Sequence, residues 1–389
     1  MNIKKLGGKH IKIENRKLVF SHIFNQPGIS RPEIVNLTEL SAASVGRIAD
    51  ELLEEGLIRE YDTDARNVGR RPTLLSVCGE KIPSLALELD RDKVVCAIVD
   101  MAGKVYYRNE SYVNSMAHNP LKMCVFMRDM INEAMSQPCI QDKKVAGIGV
   151  VLPGLIDMDS GMVLLSSQLH WHNVPLGAML GDVFPDMMII IDNEMNARAL
   201  AESLYGELNR EQNAVVLGIG SGVGAGIITN GRIYRGSHNM AGEVGHIIMD
   251  PSGKMCECGF YGCLQTYVAD WALLEDARRF KCDASIKDII SAADSGEQWA
   301  ISIIDRFIRY TKTAISYFTN LLNPSAVVLS GQLLEDHPSL AERLIDDYQL
   351  HINEHYNTPY RLSMSGLGRD GAIIGAATLL LQKVYDRYI

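Results

Sequence analysis

The apolar positions of the chain first fall at helical spacing. Leu18, Val19, Ile23 and Phe24 recur with that period between Glu14 and Phe24, and Pro27-Gly28 ends the run. Ser30 then stands as an N-cap with Pro32 in the first turn and Glu33 three residues on, a capping box that predicts a short second helix to about Thr38. After a turn at Glu39-Leu40, Ser41 caps a third helix whose Val45, Ile48, Leu52 and Leu53 face inward, with Gly56 as the stop. Two short strand-like runs follow, Leu57-Ile58 and Leu74 to Val77, on either side of Gly69-Arg70-Arg71-Pro72.

Near residue 80 the pattern changes. Ser84 to Leu89, Val94 to Val99 and, past the turn Ala102-Gly103, Val105 to Tyr107 read as strands that begin a mixed sheet. Later apolar runs at Val145 to Val151, Met187 to Ile191, Ala214 to Ile219 and Ala326 to Leu329 alternate with helical stretches such as Asn196 to Tyr205 and Trp299 to Leu322. That alternation defines an α/β class. The chain divides accordingly into residues 1–79 and 80–389, and its 389 residues suffice for two or three domains.

The short-helix, turn, helix arrangement presents the start of the third helix, with Ala43, Ser44 and Arg47 on its outer face, as a DNA-recognition element. Small residues allow close approach to bases, Arg47 can form two hydrogen bonds to guanine, and Ser44 can reach a base edge or a phosphate. Arg70 and Arg71 sit at a Gly/Pro-constrained tip resembling a wing, which suits a narrow minor groove; a basic turn leading into the next domain is the plainer alternative. The formal charge of −9 would argue against nucleic acid were it evenly spread. It is not: residues 1–79 hold 12 Lys and Arg against 10 Asp and Glu, leaving 26 against 37 for the rest.

No long apolar run suggests a membrane span, and the first residues carry no signal-like apolar stretch, so a cytoplasmic location without membrane insertion is expected. The eight cysteines then do not read as a disulfide framework. Three of them, Cys256, Cys258 and Cys263, cluster in a loop punctuated by Gly259 and Gly262, and His246 precedes Cys256 by ten positions. Three thiolates and one imidazole make a closed tetrahedral set, the chemistry of structural zinc.

Four ordered segments carry a family resemblance over about residues 80 to 380: Ile190 to Asn196, Gly220 to Gly226, Gly242-Glu243-Val244-Gly245-His246, and Cys256-Glu257-Cys258-Gly259-Phe260-Tyr261-Gly262-Cys263. Together they resemble the signatures of the ROK family (repressor, ORF, kinase). The resemblance implies a two-lobed actin-like or hexokinase-like domain of the ribonuclease H-like ATPase fold. Lobe 1 would span about 80–192 plus a C-terminal helix at about 373–389, and lobe 2 about 193–372 with the zinc motif. It implies a winged helix-turn-helix in front, as in the family's repressors, the four zinc ligands named above, and a sugar contact from His246. A sugar or amino sugar would be held by Asn193, Glu194, Glu243, His246 and Gln265, a set rich in acceptors.

Three departures from the family's kinases point away from phosphoryl transfer. The catalytic aspartate position is Glu194, and a glutamate that holds sugar hydroxyls is Gln265. The Asp-x-Gly-Gly-Thr phosphate loop reads Leu89-Asp90-Arg91-Asp92-Lys93, whose side chains would keep a phosphate off the backbone amides. The expectation is therefore a sugar-responsive repressor of carbohydrate genes. It would be a homodimer or a tetramer, cytoplasmic and on the nucleoid when bound to operator DNA. An active sugar kinase with an added DNA domain, and a repressor whose inducer is a protein of a sugar-transport system, stay open as alternatives.

Overall fold

The N-terminal helices form where their caps dictate. In a computed structural model describing residues 8–62, 73–141, 143–209, 211–350 and 360–384, helix α1 spans Gly8–Asn25, α2 Arg31–Thr38 and α3 Ala42–Glu54. The Ser30 hydroxyl accepts from the Glu33 amide, and the Glu33 carboxylate accepts from the Ser30 amide at 2.8 Å, so the capping box closes as the sequence predicts. Strands β1 (Ile29–Ser30), β2 (Ile58–Asp62) and β3 (Thr73–Val77) form an antiparallel sheet in the order β1-β3-β2 beside these helices. Val19, Phe20, Ile23, Phe24, Val45, Ile48 and Leu52 are buried, whereas Leu18 is 39% exposed because α1 turns that position outward. Helix α1 also starts well before Glu14, in a stretch with no apolar period to announce it. The expected arginine tip, with Arg70 and Arg71, lies outside the described residues.

The first large sheet runs β11-β7-β4-β5-β6. Its strands β4 (Ser84–Leu89), β5 (Lys93–Val99) and β6 (Val105–Tyr112) are antiparallel, and β7 (Gly147–Leu152) and β11 (Met188–Asn193) add in parallel on the other side of β4. Leu85, Leu87 and Leu89 of β4 face α4 (Pro120–Met135) and α5 (Leu176–Val183); Ala86 and Glu88 face the opposite way. A small antiparallel sheet of β8 (Leu155–Asp157), β9 (Met162–Ser166) and β10 (Trp171–Val174) projects between β7 and α5.

Helix α6 (Glu194–Tyr205) begins directly at the end of β11 and is buried along most of its length. It packs on the first sheet with one side and on the second with the other. The second sheet has the order β14-β13-β12-β15-β16, built from β12 (Ala214–Ile219), β13 (Val223–Thr229), β14 (Arg232–Ile233), β15 (Ala326–Ser330) and β16 (Arg361–Met364). Its far face is covered by α7 (Gln265–Val268), α8 (Asp270–Ala277), α9 (Ile286–Asp294), α10 (Gln298–Leu322), α11 (Gln332–Asp336) and α12 (Pro338–Leu350).

The chain then returns to the first sheet as α13 (Gly371–Val384), which packs along α6. Gly375 permits that approach, since a Cβ there would stand 2.1 Å from the Ala197 carbonyl oxygen. The other end of α13 reaches the N-terminal helices, where Gln382 Nε2 donates to Asn25 Oδ1 at 2.9 Å, and Lys81 Nζ donates to the Glu55 carbonyl at 2.6 Å. Apolar side chains of α1 to α3, of α6, of α13 and of the first sheet belong to one continuous buried cluster. Among the described residues no helix is long and apolar enough to cross a membrane.

Candidate ligand cleft and metal centre

The segment Gly242 to Cys263 folds back on itself through short-range bonds. Cys256 N donates to the Phe260 carbonyl, Gly259 N to the Cys256 carbonyl and Met249 N to the Gly262 carbonyl, at 2.8 to 2.9 Å. Gly262 holds φ 69°, and a Cβ at that position would overlap the Asp250 carbonyl oxygen, so the loop closes only with glycine there. These turns bring ligand atoms of His246, Cys256, Cys258 and Cys263 within 4.8 Å of one another. Cys256 Sγ lies 3.6 Å from His246 Nδ1, and Cys258 Sγ 3.6 Å from Cys263 Sγ. A tetrahedral ion with metal–sulfur bonds of 2.3 Å needs sulfur atoms about 3.8 Å apart. The set therefore fits a metal ion.

The charge argument agrees with the geometry. Burial pushes the Cys263 thiol up to about 12, with Cys258 and Cys256 beside it adding to the rise, and burial raises Cys256 as well. Thiols crowded in this way become thiolates together only around a cation. Gln265, buried at the start of α7, donates its Nε2 to Cys256 Sγ at 3.3 Å, which restricts that sulfur. Burial lowers His246, keeping its ring neutral as a ligand must be. All eight cysteines are free of disulfides.

The same His246 ring lines a cleft of about 380 Å³ beside the metal set. Asn193, Glu194, Glu243, His246 and Gln265, the five residues singled out as ligand contacts, all line it. Their availability differs. Asn193 is the N-cap of α6: its Oδ1 accepts from Met195 N at 2.7 Å and Asn196 N at 3.4 Å, and its Nδ2 donates to the Gly154 carbonyl at 3.0 Å. One amide hydrogen is left to offer. Asp192, just before it, is fully buried and bound through both oxygens by Arg235 at 2.6 and 2.8 Å, which fixes the strand end from which Glu194 emerges.

Glu194 is the most perturbed acid of the cleft. Burial pushes its carboxyl up to about 8, with Glu243 and Asp90 adding to the rise, and its Oε2 is buried with no hydrogen-bond partner. At neutral pH it is mostly protonated and can donate to a hydroxyl. Burial raises Glu243 in the same direction.

Behind Glu194 lies a second, narrower cleft of about 50 Å³, where the turn after β4 meets the glycine-rich turn after β12. The amides of that first turn are spent internally: Asp90 N donates to the Lys93 carbonyl at 2.9 Å and Arg91 N to Asp90 Oδ1 at 2.7 Å. The Ser221 hydroxyl is shared between Asp90 Oδ1 at 2.9 Å and Gln168 Oε1 at 3.1 Å. Arg198, buried on α6, reaches Glu88 at 3.2 Å, Glu335 at 2.9 Å and Ser330 at 3.1 Å. Against its burial, Glu335 and Glu88 hold this guanidinium charged, while burial raises Glu88 against the pull of Arg198. Over the rim, Arg91 pairs with Glu257 of the cysteine loop at 2.5 Å.

Sequence reasoning missed Arg198, Gln168 and the Arg91–Glu257 pair, because each joins segments far apart in the chain. Glu88, a lone carboxylate in the apolar strand Ser84–Leu89, was a readable sign of a buried partner. On the N-terminal module, Ala43 and Arg47 are exposed; Ser44 is partly buried, and its hydroxyl lies 2.9 Å from the Ser41 hydroxyl at the helix cap, leaving less of it for DNA than expected.

A glycine-rich turn and a His/Cys3 set lie beside an open cleft, carried on two α/β sheets that share a helix in an ATPase-type architecture, and the model of the ROK family matches residues 84–383. The chain belongs to the ROK family. It is 26% identical over 376 residues to the xylose repressor of Bacillus subtilis (strain 168), covering 97% of each chain. To the DNA-binding transcriptional dual regulator NagC of Escherichia coli (strain K12) it is 29% identical over 340 residues, covering 84% of this chain and 82% of that one. Among solved structures, a ROK family transcriptional regulator described as a homolog of the E. coli MLC protein superposes with TM-score 0.76 at 28% identity over 97% of both chains. A ROK family glucokinase from Streptomyces griseus, in complex with glucose and AMPPNP, shares the fold with TM-score 0.67 at 21% identity, covering 77% of this chain and 99% of that one.

Proposed function

We propose that the protein is a sugar-responsive DNA-binding transcription repressor whose kinase-like domain senses a sugar and transfers no phosphoryl group. The carrying observation is the contrast at Glu194: a 380 Å³ cleft with hydrogen-bonding groups on one side, and on the other a 50 Å³ cleft in which Arg198 is paired with Glu88 and the Asp90 and Arg91 amides are bonded within their turn. A nucleotide phosphate would meet the Glu88 and Asp90 carboxylates beside Lys93, with the Asp90 and Arg91 amides already bonded. Residues 1–79 act as a winged helix-turn-helix, with Ala43, Ser44 and Arg47 on the recognition helix and Arg70 and Arg71 on the wing. Residues 80–389 form the sensing domain, with lobe 1 at about 80–192 plus the C-terminal helix and lobe 2 at about 193–372.

The metal is a structural zinc held by His246, Cys256, Cys258 and Cys263. Bound there, it would fix the His246 ring through one nitrogen and leave the other for a sugar hydroxyl. Glu194, Glu243 and Gln265 complete the polar end of the sugar site, and Asn193 holds α6 in register while offering one hydrogen. The working assembly is a homodimer on a twofold-symmetric operator, in the cytoplasm. A sugar that releases DNA must bind the DNA-free arrangement more tightly than the DNA-bound one.

The test is selection of a randomised duplex library on the full chain, followed by anisotropy titration of the enriched sequence with and without a panel of sugars. A twofold-symmetric site whose affinity falls with one sugar is expected. Failure to enrich any sequence, or ATP-dependent turnover of a sugar at on the order of 1 per second, overturns the reading. On the enriched site, Arg70→Ala with Arg71→Ala should weaken binding and lower the slope of log affinity against log salt by about one per lost phosphate contact. An unchanged slope removes the wing assignment.

A further inference from the structure

The cleft is larger and less polar than one sugar ring needs. A hexose packed at the density of an organic crystal fills about 200 Å³, and the cleft holds about 380 Å³. Its contents are graded along its depth. Glu194, His246 and Gln265 sit at the inner end with Gln265 buried, whereas Phe260 and Met240 line the mouth and are 63% and 52% exposed. Large exposed apolar groups at the rim of a polar pocket mark a surface that a ligand covers.

Phe260 is also presented rigidly. It lies between Cys258 and Cys263 in the metal-binding loop, its carbonyl accepts from Cys256 N at 2.8 Å, and the adjacent Gly259 takes φ 89° to turn the chain. An aromatic side chain on a fixed backbone has only two rotatable bonds to order when it is covered, which favours stacking on the apolar face of a ring.

We infer that the ligand of this cleft is a disaccharide: one ring is held by the polar inner end, and the second is stacked on Phe260 at the mouth beside Met240. This rests on the sugar-sensing reading above and extends it from one ring to two. The inner groups read the hydroxyl pattern of the first ring. The outer platform reads the presence of a second ring and is tolerant of its hydroxyls, because an aromatic face carries no hydrogen-bond pattern.

Calorimetric titration of the zinc-loaded full chain with glucose, xylose and N-acetylglucosamine, each set against its own β-1,4-linked dimer, tests this. One dimer is expected to bind at least tenfold tighter than its monomer. In Phe260→Ala that ratio should collapse toward one, and in Phe260→Trp it should persist, with metal content and melting temperature checked in both variants. Equal affinity for monomer and dimer in the wild-type chain, or a ratio that survives Phe260→Ala, overturns the two-ring proposal and leaves the sugar-sensing reading standing. Binding of none of the six overturns both.

Discussion

Two clefts meet at Glu194 and share Pro153, Gln168, Met195 and Gly224 in their walls, yet they have opposite characters. The one beside the cysteine loop keeps donors and acceptors turned toward its interior. In the one toward the glycine-rich turn, the Asp90 and Arg91 amides bond within the turn, and Arg198 is held by Glu88 and Glu335. A buried cation matched by two carboxylates is stable as a unit and has no charge left for a phosphate. On the proposed reading, such a fold would keep recognition of a sugar while internal pairing crowds the other cleft.

The contrast can be broken most severely from the metal side. Cys256→Ser removes one thiolate and the partner of Gln265; loss of the bound metal is expected, with a fall in sugar affinity of about 10- to 100-fold or more. Metal analysis and calorimetry check this, and a variant that keeps both metal and affinity would detach the loop from the cleft. On the other side, Arg198→Ala strands Glu88 and Glu335 in the interior and should cost about 3 to 5 kcal/mol of stability in urea unfolding. A loss below about 1 kcal/mol, the size of an exposed pair, would show that the narrow cleft is open to water.

A pH-dependent effect is expected on the shared residue. Glu194 is raised in the folded chain from an ordinary 4.5 to about 8. An acid shifted upward stabilises the fold fully at low pH, and that contribution is lost as pH climbs from about 4.5 through about 8. Glu194→Gln, which keeps the shape of the protonated group, should match the wild-type melting temperature near the acid end and exceed it by a growing margin toward pH 9. Parallel profiles for the two chains would mean that Glu194 is ionised throughout.

The N-terminal helices and most strands were legible because caps and apolar periods are local signals: Ser30 with Glu33 marks α2 in the sequence as it does in the structure. The metal set was legible for the same reason, since three of its four members fall within eight residues. Arg198 was not. In the sequence it is a polar residue on a helix, and only its packing between two sheets makes it an interior cation whose partners lie 110 and 137 positions away. Asn193 was read as a ligand contact on the strength of its motif, while most of its amide serves to cap α6. Residues that act through local geometry can be found from spacing; those that act through burial need the fold.

The packing of α6 against α13 has a mechanical consequence. Glu194, at the wall of the open cleft, is the first residue of a rod about 18 Å long, buried on nearly every side and in backbone contact with Gly375. The far end of the second rod touches Asn25 of the first helix. Close-packed interiors transmit displacement with little compression, so the contact between the two rods offers a route by which a shift at residue 194 would be felt at the N-terminal helices. Replacing Gly375 by a larger residue would pry the rods apart midway, and the distance between cleft and N-terminal module would become a gap in a lever.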